Sequence, residues 1–172
     1  MSGTSLRQPI VLMLEELSDR LLRMYPNEIR ECLAALDEEQ IWWRPNDTSM
    51  SVGNMVLHLT GNLNHYLGRG VVASGYRRER PKEFQEKGPI SRQELLRQFE
   101  EGLEWGKKAF EHITPESLMD TAELGEESKE IARLVIGVTT HFNGHVGQII
   151  YVTKMVKGKE FPDELWRRVR DH

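Results

Sequence analysis

The stretch Ser128–Lys157, SKEIARLVIGVTTHFNGHVGQIIYVTKMVK, decides how this chain is read. Ile131, Leu134, Val135, Val138, Phe142, Ile149, Val152 and Val156 fall at helical spacing and predict one long helix with a buried stripe. Gly158 follows as its stop. His141 and His145 lie on or beside the stripe, at i and i+4. That spacing puts both on one face, about 5–6 Å apart at Cβ, within reach of one ion. A single histidine on such a face is normally a hydrogen-bonded core residue. Two side by side need a shared partner, because burying each unpaired costs about 1–3 kcal/mol.

Working outward, a second helix is predicted from Ser49 or Ser51, either of which can cap it. Its core positions are Val52, Met55, Val56, Leu59, Leu63, Tyr66 and Leu67, and His58, Asn62 and His65 form a polar line along it. This line is the natural counterpart of the paired histidines. By spacing alone the third ligand is His58 or His65, which stand about 10 Å apart along the axis and cannot share an ion. Three histidines and an open fourth position describe a catalytic-type zinc or related transition-metal site. Di-iron bundles use Glu-x-x-His pairs, but Met55, Asn62, Val138 and Phe142 precede these histidines by three. Phe142 also stands where the HExxH protease pattern has its glutamate, so the motif carries no general base. Asn62 and Gln148 are placed to orient a ligand imidazole or a water. Gly144 and Gly147 cost helix stability and imply close helix approach or room for a ligand.

Two further helices complete the pattern. The first runs from Pro9 to Leu36, with Pro26 expected to kink or restart it. The third opens on Ser91-Arg92-Gln93-Glu94, a capping-box sequence, and ends at Thr114-Pro115-Glu116. Trp42-Trp43-Arg44-Pro45 reads as a structured connection covering the core. The polar segment from Ala73 to Ile90 is longer than antiparallel neighbours need, so it is expected to cross between two parallel helices. With strand signals weak throughout, the expected fold is an all-α four-helix bundle with a long crossover between helices 2 and 3.

Composition narrows the function classes. The 172 residues suggest one domain, 1–172, with a short N-terminal and a C-terminal tail. The lone Cys32 reads as a small buried residue rather than a nucleophile. The net charge of −4 argues against bulk attraction to nucleic acid. Arg69, Arg77, Arg78 and Arg80, with Arg167, Arg168 and Arg170, read as solvated loop and tail charge, although Arg77, Arg78 and Arg80 could receive an anionic cosubstrate. No apolar run reaches membrane length, and Met1–Gln8 lacks a signal pattern, so a cytoplasmic protein is expected. Phe161, Leu165 and Trp166 are apolar tail residues expected to cover a helix or a partner subunit.

His58-Leu59 with Gly61-Asn62, and His141-x-x-x-His145-x-Gly147-Gln148-Ile149, resemble the DinB and YfiT-like metal-dependent superfamily. The Trp42-Trp43-Arg44-Pro45 turn and Asn54-x-x-x-His58-Leu59 resemble a subgroup of its uncharacterised bacterial proteins. The resemblance runs from about Leu12 to Lys157 and implies a four-helix bundle with that crossover. It implies that His58, His141 and His145 bind one divalent metal, either zinc, nickel or iron, and so selects His58 over His65. It also implies a homodimer and a small-molecule substrate, in some relatives a low-molecular-weight thiol that is transferred or whose adducts are isomerised. Hydrolysis is the other enzymatic expectation, and a non-catalytic metal-binding or sensing protein is the alternative to both.

Overall fold

Four long helices form where the apolar periodicity places them, and the direction of each follows from what it touches. The structure is a computed structural model and describes residues 4–88 and 90–162. Helix α1 spans 4–35, α2 is the short Glu38–Trp42, α3 spans 52–72, α4 is the short Arg80–Gln85, α5 is Arg92–His112 and α6 is Ile131–Lys157. Leu14 of α1 clusters with Val135 of α6, and the Cys32 thiol meets Thr153, so these two helices run parallel. Thr60 and Leu63 of α3 face Gly102 of α5, and Leu67 faces Gly106, so α3 and α5 are parallel too. Gly70 of α3 abuts Leu134 of α6, while His58 meets His141, which makes that pair antiparallel. The parallel α3–α5 pair is what the long Ala73–Ile90 connection exists to join.

The departures from expectation are local. At Pro26, by contrast, α1 restarts as expected. This proline has no N–H to donate to the carbonyl four residues back, and the helix takes a π-helical turn over Arg20–Met24 before resuming at Tyr25. Residues Ser128–Glu130 are not helical. They pair antiparallel with Thr121–Glu123 as a two-stranded hairpin, β1 and β2, beside the start of α6. Ser91 caps α5 by accepting from the Glu94 N–H at 3.2 Å, but the Glu94 carboxylate turns to Arg97 and Gln98, so the expected capping box is half made. Gly144 and Gly147 meet no neighbour and face outward, so close helix approach within the chain does not explain them. Leu165 and Trp166 lie outside the described residues, as do Arg167, Arg168, Arg170 and His172.

The crossover is fastened rather than slack. The Trp42 indole lies against Gly53, where a Cβ would come within 2.8 Å of the ring, and its Nε1 donates to the Ile90 carbonyl at 3.1 Å. Ser51 caps α3 and shares a capping box with Asn54. The Asn54 amide then donates to the carbonyls of Glu83 and Glu86, each at 2.9 Å. Arg44 donates to Asn54 Oδ1 and to the Glu86 carbonyl, each at 2.8 Å. Of the Trp-Trp-Arg-Pro turn, Trp42 covers the core as expected, whereas Trp43 is exposed, and the turn does more than cover. It ties α4 down over the first turns of α3. No helix of the described residues is long and apolar enough to cross a membrane.

Candidate metal centre

The antiparallel α3–α6 pair brings His58 against His141 and His145. Candidate ligand atoms of the three rings lie within 4.8 Å of one another. His58 is buried, and the other two are half-buried. The Nε2 atoms of His58 and His141 are 2.8 Å apart.

Glu83, on α4, decides what His58 can do. Its Oε2 lies 2.9 Å from His58 Nδ1. A carboxylate only accepts, so Nδ1 carries the hydrogen and the Nε2 lone pair faces the other two imidazoles. An outer carboxylate that fixes a metal-binding histidine in this way is a general device of metal sites. Arg78 holds Glu83 with a fork, Nε to Oε1 at 2.6 Å and Nη2 to Oε2 at 2.7 Å. Burial pushes the Glu83 carboxyl up, but the His58 and Arg78 hydrogen bonds outweigh it and hold it below its ordinary value. Phe84 packs its ring 5.1 Å from His58. Gly61 makes room for this arrangement, because a Cβ there would overlap Glu83 Oε1.

Burial, then the neighbouring His145 and His58, push the His141 pKa down to about 4. Burial also lowers His145, while the Gln148 side chain pulls it the other way. His145 Nδ1 is buried with no hydrogen-bond partner. Both rings are therefore neutral at pH 7, the form a metal requires. Three imidazoles, with His58 Nε2 turned inward, fit a divalent transition metal by donor type and arrangement. The geometry shows that the cluster can hold an ion.

Other expected residues fall differently. Asn62 donates to the His58 carbonyl at 2.8 Å and approaches Nε2, the inward nitrogen, at 3.2 Å. It does not hold Nδ1, which is Glu83's task. Arg78 is paired with Glu83, and both Arg78 and Arg80 line the adjoining cavity. That cavity, about 640 Å³, is walled by His58 and His141 on one side and by the β1–β2 hairpin on another. His112 is exposed and turned onto the Lys108 carbonyl of its own helix. Glu83 was missed in the sequence. Its signals were the Arg80-Pro81 helix start and the glycine three residues after His58.

The chain matches, over residues 12–164, the family described as protein of unknown function DUF1572. The chain belongs to the DUF1572 family. Among solved structures, it is similar to a DinB-like protein of Bacillus subtilis, YjoA, at 18% identity and TM-score 0.61. That match covers 86% of this chain and 95% of the other, and it shows a shared fold. No curated protein matches. This DUF1572 chain is thus an all-α, DinB-like bundle whose three histidines converge where α3 meets α6.

Two outcomes follow. Glu83→Gln should cut divalent-metal affinity by about 10–100-fold, as loss of a ligand's hydrogen-bond partner does. Gly61→Ala should act in the same direction by displacing the carboxylate. Titration with zinc against a chromophoric chelator measures both, and unchanged affinity in Glu83→Gln would remove Glu83 from the account. The pH dependence has a definite sign. His141 titrates near 6.5 when unfolded and about 4 when folded, so between these values the unfolded chain binds more protons. Metal-free stability is therefore intact above about pH 6.5 and falls as pH drops towards 4. Thermal melts should show that loss, and His141→Ala should flatten it. Identical pH profiles for the two proteins would contradict the depressed value.

Proposed function

We propose that His58, His141 and His145 bind one divalent transition-metal ion, and that this DUF1572 protein is a metal-dependent enzyme for a small molecule. The observation that carries this reading is the Glu83–His58 contact, which aims a lone pair at two neutral imidazoles beside a cavity of about 640 Å³. A structural site is closed by protein ligands, whereas three ligands beside a cavity leave a position for a reactant. A divalent ion in such a site supplies Lewis acidity, lowering the pKa of a water or thiol at its open position. The chain's own part is to present the three nitrogens, to fix the His58 ring through Glu83 and Arg78, and to wall off the cavity. Zinc, nickel or iron suits imidazole donors. Thiol transfer is the favoured reaction, with hydrolysis the runner-up. The preference rests on likeness to the superfamily, together with the buried position of Cys32, whose thiol is pushed up to about 12 by burial. The chain offers no thiolate of its own, so a low-molecular-weight thiol would arrive as substrate.

Cobalt-loaded protein tests this reading. Adding 2-mercaptoethanol should produce a sulfur-to-cobalt charge-transfer band. An unchanged spectrum would mean a closed site and would favour the non-catalytic sensing alternative. A cytoplasmic location belongs to the same proposal, as does a homodimer. Ile136, Tyr151 and Met155, all exposed along the outer face of α6, suit contact with a second copy. Sedimentation should show twice the 20.0 kDa chain mass, and a monomer at micromolar concentration would contradict the dimer.

A further inference from the structure

Between Arg133 and Lys154, α6 runs for twenty residues without an Asp, Glu, Lys or Arg, in a chain that is 29% charged. Yet its outer face is open. Gly137, Thr140, Gly144, Gly147 and Tyr151 are all exposed, and their spacings of three and four set them along one ridge. Tyr151 is 65% exposed, and Ile136 and Met155 lie exposed towards the two ends. The Thr140 hydroxyl donates to the Ile136 carbonyl at 2.9 Å, so covering the ridge leaves it no orphaned donor. The three glycines weaken a helix. A Cβ on any of them would meet nothing within 4 Å, so no packing within the described residues needs them.

The ridge is complementary to itself. Gly137 and Tyr151 each stand seven residues from Gly144, about 10 Å along the axis. Two copies of α6 packed antiparallel and crossing at Gly144 therefore set Tyr151 of each copy over the gap at Gly137 of the other. A two-fold contact has this reciprocal form. The area is also sufficient. Helix α1 runs parallel to α6 and beside it. Its exposed Leu6 and Met13 extend the line of Ile10 and Leu17, which pack against the cluster that holds Val135. Two such helices side by side present a face of about 40 Å by 20 Å. That is about 800 Å², the share one partner contributes to a stable interface.

The contact would reach the metal cavity. Gly137, Val138 and His141 line it, so whatever covers Gly137 closes that part of its wall. We propose that a second copy of this chain docks antiparallel on α6 with its crossing at Gly144, and that Tyr151 of each copy completes the wall of the other's cavity, one turn from His141. This rests on the homodimer reading above and adds its register and its part in the site. A tyrosine suits the place, because its ring fills the glycine gap while its hydroxyl keeps a polar outlet in the cavity.

Cysteine cross-linking of the full-length protein tests the register. Cys32 is fully buried and does not compete. Under mild oxidation Gly144→Cys alone should form a covalent dimer, because Cα atoms facing each other at a glycine crossing fall within the roughly 4.4–6.8 Å that a disulfide spans. Gly137→Cys and Tyr151→Cys should each stay uncross-linked when oxidised alone, and should join when the two proteins are mixed. Gly144→Arg should halve the sedimenting mass and leave the helical circular dichroism unchanged, since its side chain enters open space in the single chain. A dimer of the unaltered protein in which either cross-link fails to form, or a Gly144→Arg protein that stays dimeric, overturns the proposal and leaves the homodimer standing. A monomeric unaltered protein overturns the homodimer reading, and this inference with it.

Discussion

His141→Ala is expected to leave the protein folded and unable to retain a divalent ion through gel filtration. The substitution removes one of three nitrogens and leaves two, which cannot complete the site. The loss should exceed the roughly 10–100-fold that removal of a ligand's hydrogen-bond partner costs. The fold should tolerate it because His141 is only half-buried. Removing it also relieves the crowding of three imidazoles, whose ring centroids stand 4.5–5.0 Å apart. Metal content after gel filtration, with a thermal melt of the same sample, checks both halves. Retained metal in a folded His141→Ala protein would remove this residue from the site.

Phe142→Ala should have the opposite profile, with a large loss of stability. Phe142 is fully buried, next to His141, and faces the main core with Leu59, Leu63 and Ile149. Truncating a buried phenylalanine removes its transfer energy and leaves a cavity, at a cost of about 3–5 kcal/mol. For a chain of this size each kcal/mol lowers the melting temperature by about 2–4 °C, so a fall of roughly 10 °C is expected. A shift below about 3 °C would mean that α6 is not seated as described. The pair of substitutions separates adjacent residues on one helix, one serving the site and one the core.

The four long helices were legible because each carries an apolar stripe long enough to set a period. The β1–β2 hairpin was not. Its strands are three residues each, and Ala122 is its one buried side chain, so there is no alternation to read. The histidines were legible through the i, i+4 spacing and the polar line of α3. The structure brings His58, His141 and His145 together and leaves His65 apart on the cavity wall. Glu83 was hidden because it lies among Glu79, Lys82 and Glu86 in a polar connection. Nothing periodic there says which charge turns inward. That choice is made by long-range contacts, since Asn54 and Arg44 hold the α4 backbone and Gly61 leaves space for the carboxylate. Asn62 was read as a partner of a ligand, and it does touch His58, but at the inward nitrogen rather than at the one that needs orienting.

The most direct test of the central claim is metal analysis of protein prepared without an affinity tag, dialysed and then exposed to one equivalent of zinc. X-ray absorption at the zinc edge should give one ion per chain with nitrogen ligands at about 2.0–2.1 Å and imidazole scattering from three rings. Zinc that stays in the dialysate, or a spectrum in which His58→Ala leaves all three imidazoles in place, would contradict the account.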